Sequence, residues 1–398
     1  MNAAPKKVGV VGAGLLGLAV ARRIAQTTGA EVSVFEKEDG VSRHQSGHNS
    51  NVVHSGIYYK PGSLKATLCR RGVGLLKAFC AEHGLEYREI GKVIVARDET
   101  EVARLDDLQR RAEGNGVPGV RRLGPQELRE LEPHVRGAAA LHSPTTAIVE
   151  FAAVARAMAG DLQASGGRIL LSHAVTRIDR TADRVAVYAN GDRHEFDHLV
   201  LCAGLQSDTV SRLAGDDAGP AIVPFRGEYY RLAPSRTGLV NRLVYPVPDP
   251  AYPFLGVHFT RRVDGGVDIG PNALLALARE GYQHRNVRLA ETWETLRYPG
   301  FRQLAKKHWR TGARELWGSV SRRAFLGQAR TFVPELTPGD VVRAPAGVRA
   351  QAVDLDGSLV DDFRIGTLGP VITVRNAPSP AATSSLAIAE HIADLADR

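Results

Sequence analysis

Three histidines, His44, His48 and His54, crowd into residues 44–54. Imidazole is the side chain whose ordinary pKa lies nearest neutrality, so such a cluster is where a proton acceptor is sought. His258 is a rival, in the segment Gly256-Val-His-Phe259 that reads as a strand. The plainer reading of a strand histidine is a half-buried core residue. Arg226 and Arg349 sit in short apolar or glycine-flanked segments, where an unpaired guanidinium would be costly. Arginine grips carboxylates through a two-pronged fork and lysine acts as a point charge, so each arginine either holds an anion or forms a structural ion pair. Tyr58 and Tyr59 are pocket walls or core; Lys60 follows them as a candidate anion contact. Lys65 opens a helix-like run and reads as a solvated lysine. Asn272, after Gly270-Pro271, reads first as a turn residue and second as a ligand.

These groups need a scaffold, and the N-terminus supplies a pattern for one. An apolar run, Val8-Gly-Val-Val11, leads into Gly12-Ala-Gly14-Leu-Leu-Gly17, then a stretch with helical spacing, then Val32-Ser-Val-Phe35 and Glu36. Strand, glycine turn, helix, strand, acid is the order of a dinucleotide-binding unit. Gly12 allows the tight turn, Gly14 lets backbone approach a pyrophosphate, and Gly17 lets helix and strand pack closely. The helix N-terminus offers unpaired N–H groups to phosphate, and Glu36 can accept from ribose hydroxyls. The motif alone does not separate NAD from FAD. A strand is expected through Gly166–Val175, two more around 184–188 and 194–196, and then Asp197-His-Leu-Val-Leu-Cys-Ala203-Gly204. An apolar strand ending in a small residue and glycine suits a second close approach to the cofactor, which favours FAD.

Composition sets the remaining bounds. The chain has 398 residues, 43% apolar and 24% charged, enough for two or three packed domains and unlike a disordered chain. No uninterrupted apolar run is long enough to span a bilayer, and no signal peptide is apparent. Cys69, Cys80 and Cys202 are too few for a disulfide framework and form no CxxC pair, so a reducing compartment fits and no metal site is expected. The net charge of +8 is dispersed, with no block of like charges, and nucleic-acid binding is not expected.

Residues 42–72, SRHQSGHNSNVVHSGIYYKPGSLKATLCRRG, resemble the L-2-hydroxyglutarate dehydrogenase/oxidase family, within the D-amino-acid-oxidase-like flavoproteins. So do Pro224-Phe-Arg-Gly-Glu-Tyr-Tyr230, Tyr245-Pro-Val-Pro-Asp249, Pro253-Phe-Leu-Gly-Val-His-Phe-Thr260, Gly270-Pro-Asn-Ala273, Ala346-Gly-Val-Arg-Ala-Gln351 and Asn376-Ala-Pro-Ser-Pro-Ala-Ala-Thr-Ser384. The resemblance spans almost the whole chain. One departure is Asn51, where the family more often has glycine.

The resemblance implies an α/β (α+β overall) fold of glutathione-reductase/D-amino-acid-oxidase-like architecture. A Rossmann-like FAD domain would take residues 1–90, 145–222 and 340–398. A mixed-sheet substrate domain would take 91–144 and 223–339, with a basic helical insertion around 274–330. It also implies noncovalent FAD, held by the glycine loop, Glu36, Lys37, Arg43, His44, Ser46, His48, Asn49, Ser50, Val175, Ala203, Gly204, Pro378, Ser379 and Ala381. Ser379 would cap the last helix and Pro380 would open it. The implied reaction is oxidation of the dicarboxylate L-2-hydroxyglutarate to 2-oxoglutarate. His54 would be the base, with His258 as rival. Tyr58, Lys60, Arg226, Asn272 and Arg349 would hold substrate. The acceptor would be quinone or oxygen. A cytoplasmic location is expected, with the basic insertion and its Trp293, Trp309 and Trp317 as a peripheral contact to the inner face of the cytoplasmic membrane. Two other readings are an amino-acid or amine oxidase of the same fold (glycine, sarcosine or proline) and a flavin-bearing RNA-binding protein.

Overall fold

The computed structural model describes residues 6–216, 219–250, 254–283 and 285–396; Pro253 of the family-like stretches lies outside them. The apolar run at the N-terminus forms the strand Lys7–Val11, buried on both faces after its first residue. Such a strand needs helices on either side. It pairs in parallel with Glu31–Phe35 and with His198–Leu201. The full six-stranded order is 364–368, 371–376, 198–201, 7–11, 31–35, 168–170, parallel except for the hairpin strand Arg364–Leu368. Helices Leu15–Thr28, Leu64–Glu82, Phe151–Ala164 and Ala381–Ala396 contribute to its apolar core.

The second layer is a nine-stranded mixed sheet. Its long pair, Ala221–Leu232 and Val341–Val353, runs antiparallel with a bulge between Gly227 and Tyr229. The strands 267–270, 258–261, 243–246, 92–96, 139–143 and 121–123 follow in that order. The apolar run Lys92–Ala96 forms one of them and is buried throughout. A small sheet of Val52–Val53, Tyr87–Glu89 and Ala147–Val149 carries the chain past the junction between the layers.

Four boundaries differ from the sequence reading. The expected strand through Val175 is two strands, Arg168–Leu170 and Val175–Arg180, separated by Ser172 at φ 57°. Strand Val341–Val353 belongs to the large sheet, because its register is set by pairing with 221–232 and not by the segment that follows it. The helical insertion begins only at Leu289, since Leu274–Leu275 pairs with the large sheet. Helices Leu289–Arg297, Pro299–Val320 and Arg322–Ala329 make up the remainder. Finally, the last helix starts at Ala381. Ser384 N–H donates to the Pro380 carbonyl, so Pro380, not Ser379, precedes the first turn.

Candidate active site

The glycine loop meets the geometry its composition requires. Gly12 has φ 104°, and a Cβ there would lie 2.5 Å from the Cys202 carbonyl oxygen. A Cβ on Gly17 would lie 1.9 Å from the Gly12 carbonyl oxygen. The loop therefore brings the ends of the first strand, the first helix and the strand before Ala203-Gly204 to one point. Glu36 is buried, and its carboxylate accepts from the N–H of Ala13 at 2.8 Å and of Glu38 at 3.0 Å. Ser46 Oγ accepts from Leu15 N–H, in the first turn of the helix, at 2.9 Å. His173 N–H donates to the Glu36 carbonyl, which sets the approach to Val175 beside the acid. This bare backbone cradle, closed by an acid, fits an adenine dinucleotide.

The histidine-dense segment continues from there. Lys37 Nζ touches Glu38, Glu280 at 2.9 Å and His44 Nε2 at 2.9 Å. Glu38, His44 and Glu280 also lie close enough together to hold an ion, but the ammonium occupies the space between them. His48 packs on the Tyr282 ring, centroids 4.3 Å apart. Arg43 is exposed and pairs with Asp39. Asn49 spends its side chain on the local turn, donating to the Gln45 and Ser46 carbonyls and accepting from Asn51 N–H. Ser50 adjoins it, half-buried. Asn51 has φ 59°, a conformation that asparagine and glycine tolerate better than other residues.

Past Asn51 the chain delivers His54 to the junction. Its backbone N–H donates to Thr383 Oγ1 in the last helix, and its carbonyl accepts from Cys69 Sγ. Its Nδ1 is buried with no hydrogen-bond partner among the described residues. Burial holds the imidazole pKa well below its usual value, with Lys92, His258 and Lys65 adding in that order. His258 stacks on Tyr245 with centroids 4.0 Å apart, and its Nδ1 bonds the Gly256 carbonyl. Burial pushes its pKa down to about 4, the Gly256 bond opposing and Lys92 assisting. That leaves His258 with one nitrogen already engaged, while the Nδ1 of His54 is not.

The expected substrate groups divide. Arg349 projects beside Phe254, 5.2 Å from its centroid. The residue keeps an exposed surface, while the protein around it lowers its pKa, with Asp361, Tyr59 and Tyr229 opposing that shift. It pairs in register with Phe225. Tyr59 links the two regions: it hydrogen-bonds Ser379 beside Pro378, and the Lys65 ammonium lies 5.2 Å over its ring. Tyr58 walls the same space, its hydroxyl buried without a partner among the described residues.

Arg226 and Asn272 are elsewhere. Arg226 pairs with Glu228 at 3.2 Å. Asn272 brackets the same glutamate, accepting from its backbone N–H and donating to its carboxylate. Both line a cleft of about 1360 Å³ under helix Pro299–Val320, which neither His54 nor Arg349 lines. Arg226 and Arg349 lie on opposite faces of the paired strands, since Arg349 is in register with Phe225 and Arg226 with Val348. Lys60 is exposed on the turn before helix Leu64–Glu82. Lys65, expected in solvent, is instead buried and paired with Asp361 at 2.9 Å. Lys92 carries no signal in the sequence; a lysine opening an apolar strand looks like any solvated strand end.

The sequence profile of FAD dependent oxidoreductases matches residues 7–395. A protein of Indibacter alkaliphilus named L-2-hydroxyglutarate dehydrogenase is 44% identical over 95% of this chain and 96% of its own length. The chain belongs to the FAD-dependent oxidoreductases and, within them, to the L-2-hydroxyglutarate dehydrogenase family. The Escherichia coli protein of that name is 42% identical over 96% of this chain and 91% of its own, and the mitochondrial protein of Homo sapiens is 42% identical over 97% and 87%. The fold is shared more widely. L-alpha-glycerophosphate oxidase from Mycoplasma pneumoniae with FAD bound covers the whole chain and 96% of its own at TM-score 0.79 and 21% identity. Glycine oxidase from Geobacillus kaustophilus follows at 0.74 and 18%, covering 99% and 95%. FAD is the cofactor of this family.

Proposed function

We propose that this protein oxidises L-2-hydroxyglutarate to 2-oxoglutarate. FAD, once bound, supplies the two-electron acceptor that takes hydride from the substrate α-carbon. His54 accepts the hydroxyl proton: burial holds its pKa below the ordinary imidazole value, its Nδ1 is unencumbered among the described residues, and Thr383 and Cys69 fix it through its backbone. Arg349 holds a substrate carboxylate, its exposed two-pronged guanidinium matching the geometry of the anion. Tyr58 and Tyr59 wall the pocket and keep water from it. Ala203-Gly204 and Pro378–Ala381 would hold the cofactor, and the positive end of the last helix would stabilise negative charge on it when reduced.

The observation that carries the reading is His54 at the junction of the last helix and the large sheet, in a chain over 40% identical to proteins of that name along nearly its full length. The test is a substrate panel with purified enzyme and an artificial acceptor. L-2-hydroxyglutarate should yield 2-oxoglutarate, and glycine, sarcosine and proline should yield nothing. Turnover of those amines alone would establish the amine-oxidase reading instead.

We also infer a peripheral membrane position and a quinone acceptor. Helices Leu289–Arg297 and Pro299–Val320 expose Leu289, Trp293, Trp309, Leu316, Trp317 and Val320, among Lys306, Lys307, Arg310 and Arg314. Tryptophan and leucine interleaved with cations suit the headgroup boundary of an anionic bilayer. No helix among the described residues is long and apolar enough to cross one. Trp309→Ser with Trp317→Ser should abolish sedimentation with anionic vesicles while leaving flavin content unchanged; sedimentation equal to the parent's would remove this surface from the role. Oxygen uptake in place of quinone reduction would replace the acceptor.

A further inference from the structure

Lys92 opens the strand Lys92–Ala96 and is 1% exposed, one of the largest fully buried side chains among the described residues. A buried ammonium is costly unless an anion offsets it. Here no carboxylate or hydrogen-bond acceptor engages its Nζ among the described residues; its contacts are two rings. Nζ lies 4.2 Å from the Tyr245 centroid and 5.3 Å from that of Tyr58. Tyr245 stacks directly on His258, and Tyr58 belongs to the segment that carries His54. The sheet thus delivers one cation, held by aromatic faces, to the imidazole pair.

We propose that Lys92 is a positioning residue for the reaction: a buried cation, held on the faces of Tyr58 and Tyr245, that sets the charge around the imidazole pair. The inference rests on His54 as the base. The groups around His54 agree in sign. Helix Leu64–Glu82 presents Lys65, Cys69 and Arg70, the last donating to the Ser55 carbonyl. The large sheet presents Lys92 and His258. The His54 segment itself adds Tyr58 and Tyr59, and the last helix adds the neutral Thr383. Asp361, across from helix Leu64–Glu82, is engaged by Lys65. A cation beside an imidazole disfavours imidazolium. Burial brings the Lys92 amine down to about 7, so its charge is present below neutrality, where a histidine would otherwise protonate.

The test is the pH dependence of anaerobic flavin reduction by L-2-hydroxyglutarate in the FAD-loaded parent, Lys92→Met, Lys92→Arg and His54→Asn. The parent's acid limb should fall well below the ordinary histidine value of 6.5. Lys92→Met, similar in length and uncharged, should move that limb up by about one pH unit. Lys92→Arg should restore the parent position, which a purely structural role for the side chain would not do. An unmoved limb in flavin-loaded Lys92→Met overturns the proposal. So does a parent limb at or above 6.5, a result independent of how any variant folds. Wild-type reduction in His54→Asn would refute the base assignment itself, whereas lost reduction there with an unmoved limb in Lys92→Met refutes only the role of Lys92.

Discussion

A base that takes a proton from an alcohol has to be neutral and have a free nitrogen where it works. His54 meets both conditions through burial and through backbone anchors that leave its ring unencumbered. His54→Ala should keep FAD and slow flavin reduction by about 10²–10⁴-fold, the usual contribution of general-base catalysis, as read by anaerobic stopped-flow. Arg349→Met should mainly weaken substrate binding, raising the KM for the dicarboxylate far more than it lowers kcat; an unchanged KM would remove Arg349 from the carboxylate. The place of His54, in a glycine- and serine-rich segment after the dinucleotide motif, could be read locally. Those of Lys92 and Lys65 could not. Their burial is created by partners more than 100 residues away, the strand Leu243–Pro246 beside Lys92 and Asp361 beside Lys65. The Arg226–Glu228 pair, by contrast, is formed within one strand.

Elements position these residues through close backbone contacts that only small side chains permit. Gly17→Ala would place a methyl 1.9 Å from a carbonyl oxygen, and should cost at least about 1–3 kcal/mol by chemical denaturation. The same substitution should lower the flavin content of the purified protein, because the helix it displaces is the one that opens at the cradle. Parent-like flavin content in that variant would show that the loop has slack. The glycine loop, its helix and the apolar strands were readable because spacing alone dictates them. The bounds of Val341–Val353 and of the last helix were not, since the first is set by pairing with a strand over 100 residues earlier and the second by a proline that serves equally as cap or first residue.

At the scale of the molecule, the two layers are tied by buried charge. Arg279, in the segment before the insertion helices, donates to both oxygens of Asp208 at 2.6 and 3.0 Å, and both side chains are buried. Without Arg279 the Asp208 carboxylate keeps the backbone N–H groups of Thr209 and Ile222 and has Arg212 at 3.7 Å, so Arg279→Met should lower the unfolding free energy by about 1.5–3 kcal/mol, the worth of hydrogen bonds to a charged group. A second whole-molecule consequence is acid sensitivity. His142 and His258, buried and held down to about 4, stay neutral in the fold while the unfolded chain protonates near 6.5. The unfolded state then binds more protons, so stability should fall as pH drops below 6.5, by roughly 1–3 kcal/mol per histidine on reaching the folded values. A melting temperature that rises between pH 7 and 5 would contradict this. The two-layer architecture was legible from the order of motifs, but the Arg279–Asp208 tie was not, because neither residue sits in a pattern that announces a partner.

The most direct test of the whole account is the visible absorption of the purified holoenzyme mixed with L-2-hydroxyglutarate in the absence of oxygen. The yellow flavin band should bleach within the mixing experiment and 2-oxoglutarate should appear in equal amount to the flavin reduced. A flavin that stays oxidised with this substrate, yet bleaches with an amino acid, would contradict it.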